Sequence, residues 1–194
     1  MRRPIALLAA VVAALWLVAG TALFQLLDRD ETPARSAPLA VPTTTLPAWT
    51  PPVVLVDLKA SHLVDQDQAQ AAAAQLAADP RGWRTDLDHI AIRIVLPGTD
   101  GIERMPGLIG RALFDTDVVL ISAEAWTSIG QRFAVLGGTL DEQRAWVFNH
   151  EVGHILGHPH EECPGDGPAP VMRATTYDIG TCSLNVWPNP WYAP

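Results

Sequence analysis

Apolar and polar positions divide the 194-residue chain into three stretches. Ile5 to Leu27 is an apolar run softened only by Gly20, Thr21 and Gln25. From Asp28 to Pro52 large apolar side chains are few, and Pro33, Pro38, Pro42, Pro47, Pro51 and Pro52 recur. From Val53 onward, short apolar runs alternate with helical patterns and turn residues, as expected of one folded domain over residues 53–194.

Within that domain, Val53 to Leu58 is a short β-branched run and reads as a strand. Asp65 to Ala78 is rich in Ala and Gln without Gly or Pro; it predicts a helix stopped by Asp79-Pro80-Arg81-Gly82. Leu87 to Leu96 alternates apolar residues at Ile90, Ile92 and Ile94 and predicts a second strand, with a turn at Pro97-Gly98-Thr99-Asp100-Gly101. Residues 101–116 show no period that decides between helix and strand. Asp117 to Ser122 predicts a third strand. Thr139-Leu140-Asp141-Glu142 is a capping-box pattern: the Thr hydroxyl accepts from the amide three residues on, and Glu142 reaches back. Asp141 and Glu142 also suit the positive end of a helix dipole. The helix should run from Leu140 to Leu156, and Gly157 can end it in a left-handed conformation. The remainder, to Pro194, is loop-like. Strands, a helix, more strand, then a long helix and an irregular tail describe an α/β (α+β) domain.

The apolar run changes the expected location. Its 23 residues, at about 1.5 Å each, reach roughly 35 Å, enough to cross a hydrocarbon core of about 30 Å. Arg2 and Arg3 should stay on the cytoplasmic side. Residues 1–27 are therefore expected to be a single-pass anchor in the cell membrane, with the domain outside. A cleaved signal peptide would release the domain instead, but its apolar region is usually only about 7–15 residues. The small-residue stretch Ala19-Gly20-Thr21-Ala22 also lies inside the run, not after it. Both readings export the domain, and residues 28–52 become an extended spacer.

Charge excludes one class of partner. The net charge is −8, and residues 53–194 alone hold 18 Asp and Glu against 9 Lys and Arg. Such a domain is repelled by phosphate backbones, so no nucleic-acid partner is expected. A monomer is expected.

The candidate chemistry sits at the end of the long helix, in His150-Glu151-Val152-Gly153-His154-Ile155-Leu156-Gly157-His158-Pro159-His160. His150 and His154 are four apart and project from one helical face. Two imidazoles so spaced can share a zinc ion, and Gly157 lets the chain turn so that His160 supplies a third nitrogen. Three protein ligands and an open fourth position mark a catalytic rather than a structural site. Glu151 lies beside the metal rather than on it, placed as a general base. The five fixed positions match by chance in roughly one chain in 10⁵. His158 falls between the motif positions and reads as a surface or supporting residue; His62 and His89 have no motif context.

The pattern resembles that of the metzincin zinc endopeptidases. The resemblance implies a twisted mixed sheet, an active-site helix, a zinc cleft and a tight Met-containing turn under the metal. Met172 is the candidate for that turn, after Pro168-Ala169-Pro170-Val171, with ordinary core filler as the other reading. Tyr177 is a candidate oxyanion or substrate residue, since some metzincins use a Tyr after this turn, although its offset from Met172 differs. A narrower resemblance covers Asp79 to the end. Asp79-Pro80-Arg81-Gly82-Trp83, Asn149 through His160, Cys163-Pro164-Gly165, Ala169-Pro170-Val171-Met172, Cys182 and Asn189-Pro190-Trp191 look like an actinobacterial family of exported, metzincin-like proteins of unknown function. This chain departs from it in lacking a second cysteine pair and in having Arg173-Ala174-Thr175 where a Gln-rich stretch is expected.

Cys163 and Cys182 are the only cysteines, and in an exported domain they are expected to pair. The bridge would close a loop containing Met172 and stabilise by roughly 3 kcal/mol; zinc ligation by Cys163 is the rival. The tail aromatics Trp187, Trp191 and Tyr192 are expected to cover the core. The expected activity is hydrolysis of peptide or protein substrates in the envelope or outside the cell, with Zn2+ as cofactor. The alternatives are a non-catalytic zinc-containing envelope-binding module and a hydrolase of cell-wall peptide crosslinks.

Overall fold

Among the described residues, four short strands and four helices carry the alternation read from the sequence. A computed structural model describes residues 49–98, 102, 109–174 and 179–188. These all belong to one unit, Thr45–Pro194. The expected anchor over residues 1–27, most of the linker, Tyr177 and Asn189-Pro190-Trp191 lie outside the described residues. Among the described residues no helix is long and apolar enough to cross a membrane.

The strands are β1 (Val53–Val56), β2 (Ala91–Val95), β3 (Gly110–Leu113) and β4 (Val118–Ser122). They form one mixed sheet in the order β1-β2-β4-β3. β1–β2 and β2–β4 are parallel, and β3–β4 is antiparallel. The helices are α1 (Gln66–Ala78), α2 (Ala123–Thr127), α3 (Gln131–Val135) and α4 (Leu140–Ile155). Parallel neighbours need a crossover, and α1 supplies it between β1 and β2. β3 and β4 need only a tight connection, Phe114 to Asp117, in which Asp117 takes a left-handed φ of 49°. This is a mixed α/β domain.

Strand periodicity decides which side chains meet the helices. Val54, Ile92, Ile94, Val119 and Ile121 share a buried cluster with Val147, Phe148 and Val152 of α4 and Ala69, Ala73 and Ala77 of α1. Each large apolar side chain so buried contributes about 1.5–3 kcal/mol. The alanines of α1 let that helix lie close to the sheet. Val95, Leu120 and Ile102 form a smaller cluster.

The two edges of the sheet are treated differently. At β1 the outer edge is sealed by two glutamines of α1, four residues apart. Gln70 accepts from Val54 N–H and donates to Pro52 C=O; Gln66 accepts from Val56 N–H and donates to Val54 C=O. The side-chain amides replace a neighbouring strand and remove a template for pairing. β3 is the other edge.

The expected boundaries shift where local turns intrude. The strand expected from Leu87 starts at Ala91, because Ile90 N–H bonds back to Leu87 C=O and Leu87 N–H to Thr50 C=O. β3 falls in the segment whose period was undecided: Gly110 and Ala112 are too small to show an alternation. The short α2 and α3 were not expected. The capping box holds in both directions, Glu142 N–H to Thr139 Oγ1 and Thr139 N–H to the Glu142 carboxylate. At the far end Gly157 has φ 90°, with Gly157 N–H on His154 C=O and His158 N–H on Gly153 C=O. These two bonds make a Schellman turn.

Candidate metal centre

The last two turns of α4 bring His150 and His154 onto one face, as helical periodicity requires. The Schellman turn then reverses the chain so that His160 comes back against them. His154 Nε2 lies 3.2 Å from His150 Nε2 and 3.1 Å from His160 Nε2. The three offer ligand atoms all within 4.8 Å of one another. Nitrogens about 2.0–2.1 Å from a shared tetrahedral centre are roughly 3.3 Å apart, so the spacing suits one ion.

The other ring nitrogens are held by backbone carbonyls. His150 Nδ1 is 2.9 Å from Val171 C=O, and His154 Nδ1 is 2.9 Å from His158 C=O. A carbonyl only accepts, so Nδ1 carries the proton and Nε2 keeps its lone pair for a metal. Desolvation lowers His150 to about 4, so its ring is neutral at neutral pH; His154 is lowered for the same main reason. Three imidazoles converging through Nε2 fit a metal ion.

Glu151 is buried beside this cluster, and burial raises its carboxyl to about 8, opposed by a hydrogen bond from the Ala112 backbone. The side chain fits because Gly110 has none. A Cβ there would stand 2.7 Å from Glu151 Cγ and Oε1 and 2.8 Å from Val147 Cγ2. A cleft of about 680 Å³ opens over the site, lined by β3 and its following turn, Trp146, the three histidines, Glu151 and Ala174.

Met172 is fully buried. Its sulfur fills the space left by the missing side chain of Gly153, one residue before His154. The turn that carries it closes with Arg173 N–H on Pro170 C=O at 3.1 Å. The segment is tied to the ligands twice, through Val171 C=O to His150 and through Glu161 N–H to Met172 C=O. Cys163 and Cys182 form a disulfide with Cα atoms 6.1 Å apart, clamping the loop that contains this turn. Cys163 is therefore not a metal ligand.

Three supporting residues were not assigned a role from sequence. Trp83 is buried, donates from Nε1 to Asn149 C=O at 2.9 Å, and stacks on the His158 ring at 4.7 Å. His158, whose carbonyl orients His154, is thus held from behind. Arg81, paired to Asp79, lies 4.2 Å over the Trp187 ring and ties the tail to the same region. Trp146 stacks on His150 at 4.8 Å, one turn earlier on α4. Its spacing of four from His150 was the only sequence signal. His62 and His89 are exposed and away from the cluster.

A family model described as a protein of unknown function (DUF3152) matches residues 112–186, less than half of the chain. The matching stretch includes the three histidines, Glu151, Met172 and both cysteines. No curated protein and no solved structure matches the chain.

Proposed function

We propose that this protein is a zinc-dependent endopeptidase of metzincin type, held outside the cell by the apolar segment Ile5–Leu27. The observation that carries the reading is the convergence of three Nε2 atoms beside a buried Glu151, next to the edge strand β3. A zinc ion held by His150, His154 and His160 would supply a Lewis acid that polarises the scissile carbonyl and acidifies water.

The chain's own groups do the rest. Glu151 accepts a proton from the attacking water at its carboxylate and returns it to the leaving amine. Its burial keeps the carboxyl in a range where both transfers are feasible near neutral pH, and a nearby cation favours the ionised form that starts the cycle. Val171 C=O and His158 C=O hold the ligand rings in one tautomer. Met172 packs behind Gly153 and Trp146 stacks on His150, which keeps the histidine-bearing helix in place.

β3 provides the substrate track. Ile109 C=O bonds inward to Ser122 N–H, whereas Ala112 N–H turns outward to Glu151. In an antiparallel ladder such directions alternate, so Gly110 and the Ala112 carbonyl face the outer side of β3, while the Ala112 N–H is held by Glu151. An extended peptide can add there as a further strand, across the histidines. A non-catalytic binding module would need the histidines but gives no reason for a carboxylate buried against them.

Cleavage of a diverse peptide library by the purified, zinc-loaded full chain, run beside Glu151→Ala, tests the proposal. Cleavage lost in the variant with zinc retained supports it. No cleavage by folded, zinc-loaded wild type rejects it and favours an envelope-binding or cell-wall role.

A further inference from the structure

On the face of β3 turned toward α4, successive residues read Gly110, Ala112 and then, just past the strand, Phe114. Gly110 leaves room for Glu151, and Ala112 is a buried methyl. Phe114 is the first large side chain on that face, and it is 67% exposed. A single exposed aromatic is ordinary on a protein surface, so what singles out Phe114 is its place in the cleft against His154. Its ring lies edge-on to His154, with centroids 6.2 Å apart, and it lines the cleft. Trp146, beside His150, lines the same cleft two helical turns away along α4.

The topology orders these contacts. β3 starts at Gly110, beside Val147 and Glu151, and leads to Phe114, beside His154. A peptide added antiparallel runs the opposite way. It enters along Phe114 beside His154, passes Glu151 at Ala112, and leaves toward Gly110. The other edge, β1, is closed to such a strand by Gln66 and Gln70.

We infer that Phe114 is a specificity-determining residue that selects peptides carrying a bulky apolar side chain on the amino-terminal side of the cleaved bond. This rests on the peptidase reading and adds a substrate class and a polarity to it. The apolar side chain covers the Phe114 ring and removes both from water, while Ala112 leaves space for the bond to be cut. An acidic or small residue at that position gains nothing from the ring.

The test compares zinc-loaded full-length wild type, Phe114→Ala and Phe114→Leu on a peptide library, with zinc content measured in each. Phe114→Ala should lose about tenfold in kcat/KM on peptides with a bulky apolar residue before the cut, mainly through KM, as expected for lost apolar contact. Phe114→Leu should restore most of that loss, and zinc content should not change. Binding gives a second readout: Glu151→Gln protein should bind an uncleaved apolar peptide about tenfold more tightly than the Glu151→Gln, Phe114→Ala protein does. An unchanged cleavage profile in Phe114→Ala overturns this inference and leaves the peptidase reading intact. A preference altered only after the cut overturns the assigned polarity. A zinc-loaded wild type that neither cuts nor binds any peptide overturns both.

Discussion

Gly110 on the edge strand and Glu151 on the long helix occupy one another's space: a β-carbon at Gly110 would lie 2.7 Å from two atoms of the Glu151 side chain. The two are 41 positions apart in the sequence. Their contact is what lets a carboxylate stand between the sheet edge and the histidines.

Gly110→Ala should therefore displace Glu151 without touching a ligand. The expected result is a fall of about 10²-fold in kcat, the scale of a misplaced catalytic group, with zinc stoichiometry unchanged. Overpacking should also lower stability by about 1–3 kcal/mol. Steady-state kinetics, metal analysis and denaturant melts on the same preparation check it; wild-type kcat in Gly110→Ala would show that Glu151 has room to spare.

Chelated protein should show a stability optimum on the acid side of neutrality. Burial raises Glu151 from 4.5 to about 8, so between those values the folded chain holds the extra proton and stability falls as pH rises. Burial lowers His150 from 6.5 to about 4, so there the unfolded chain holds the extra proton and stability falls as pH drops. The effects oppose each other up to 6.5, and above it Glu151 acts alone. Tm in excess chelator should decline from pH 6.5 to 8 in wild type and stay level in Glu151→Gln. Equal slopes in the two proteins would contradict the buried carboxylate.

Trp83 should matter to the metal although it does not touch it. Trp83→Leu removes the stack behind His158, whose carbonyl orients His154. Zinc affinity should drop by about 10-fold, at the low end for loss of a ligand-orienting contact. Trp83→Phe keeps an aromatic face and should recover most of it. Chelator competition gives the numbers, and loss of stability without loss of affinity in Trp83→Leu would leave Trp83 a packing residue only.

The disulfide closes a separation of 19 residues around Met172. Cys163→Ser with Cys182→Ser should cost roughly 3 kcal/mol through the freed loop. Because Val171 C=O orients His150, zinc affinity should fall with it. Thermal melts and zinc competition on the double variant test both, and a melt within about 0.5 kcal/mol of wild type would show that the turn holds itself.

How much of this was legible in the sequence follows the range of each interaction. The helix, its capping box, its glycine turn and the shared face of His150 and His154 depend on residues within about six positions. Local propensity and periodicity therefore determined them, and the spacing to His160 followed from the same turn. The pairing of the two cysteines needed only their number and the expectation that the domain is exported. The edge strand was hidden because Gly110, which makes room for Glu151, and Ala112 carry no hydrophobic period. The sealing of the β1 edge depends on Gln66 and Gln70 reaching β1 across a turn. The tautomers of His150 and His154 depend on carbonyls of Val171 and His158, and the place of Trp83 on a helix 66 positions away. Those contacts arise only when packing brings distant backbone together, so the tertiary structure alone decided them: the sequence by itself determined the candidate ligands, and the fold determined what surrounds and aims them.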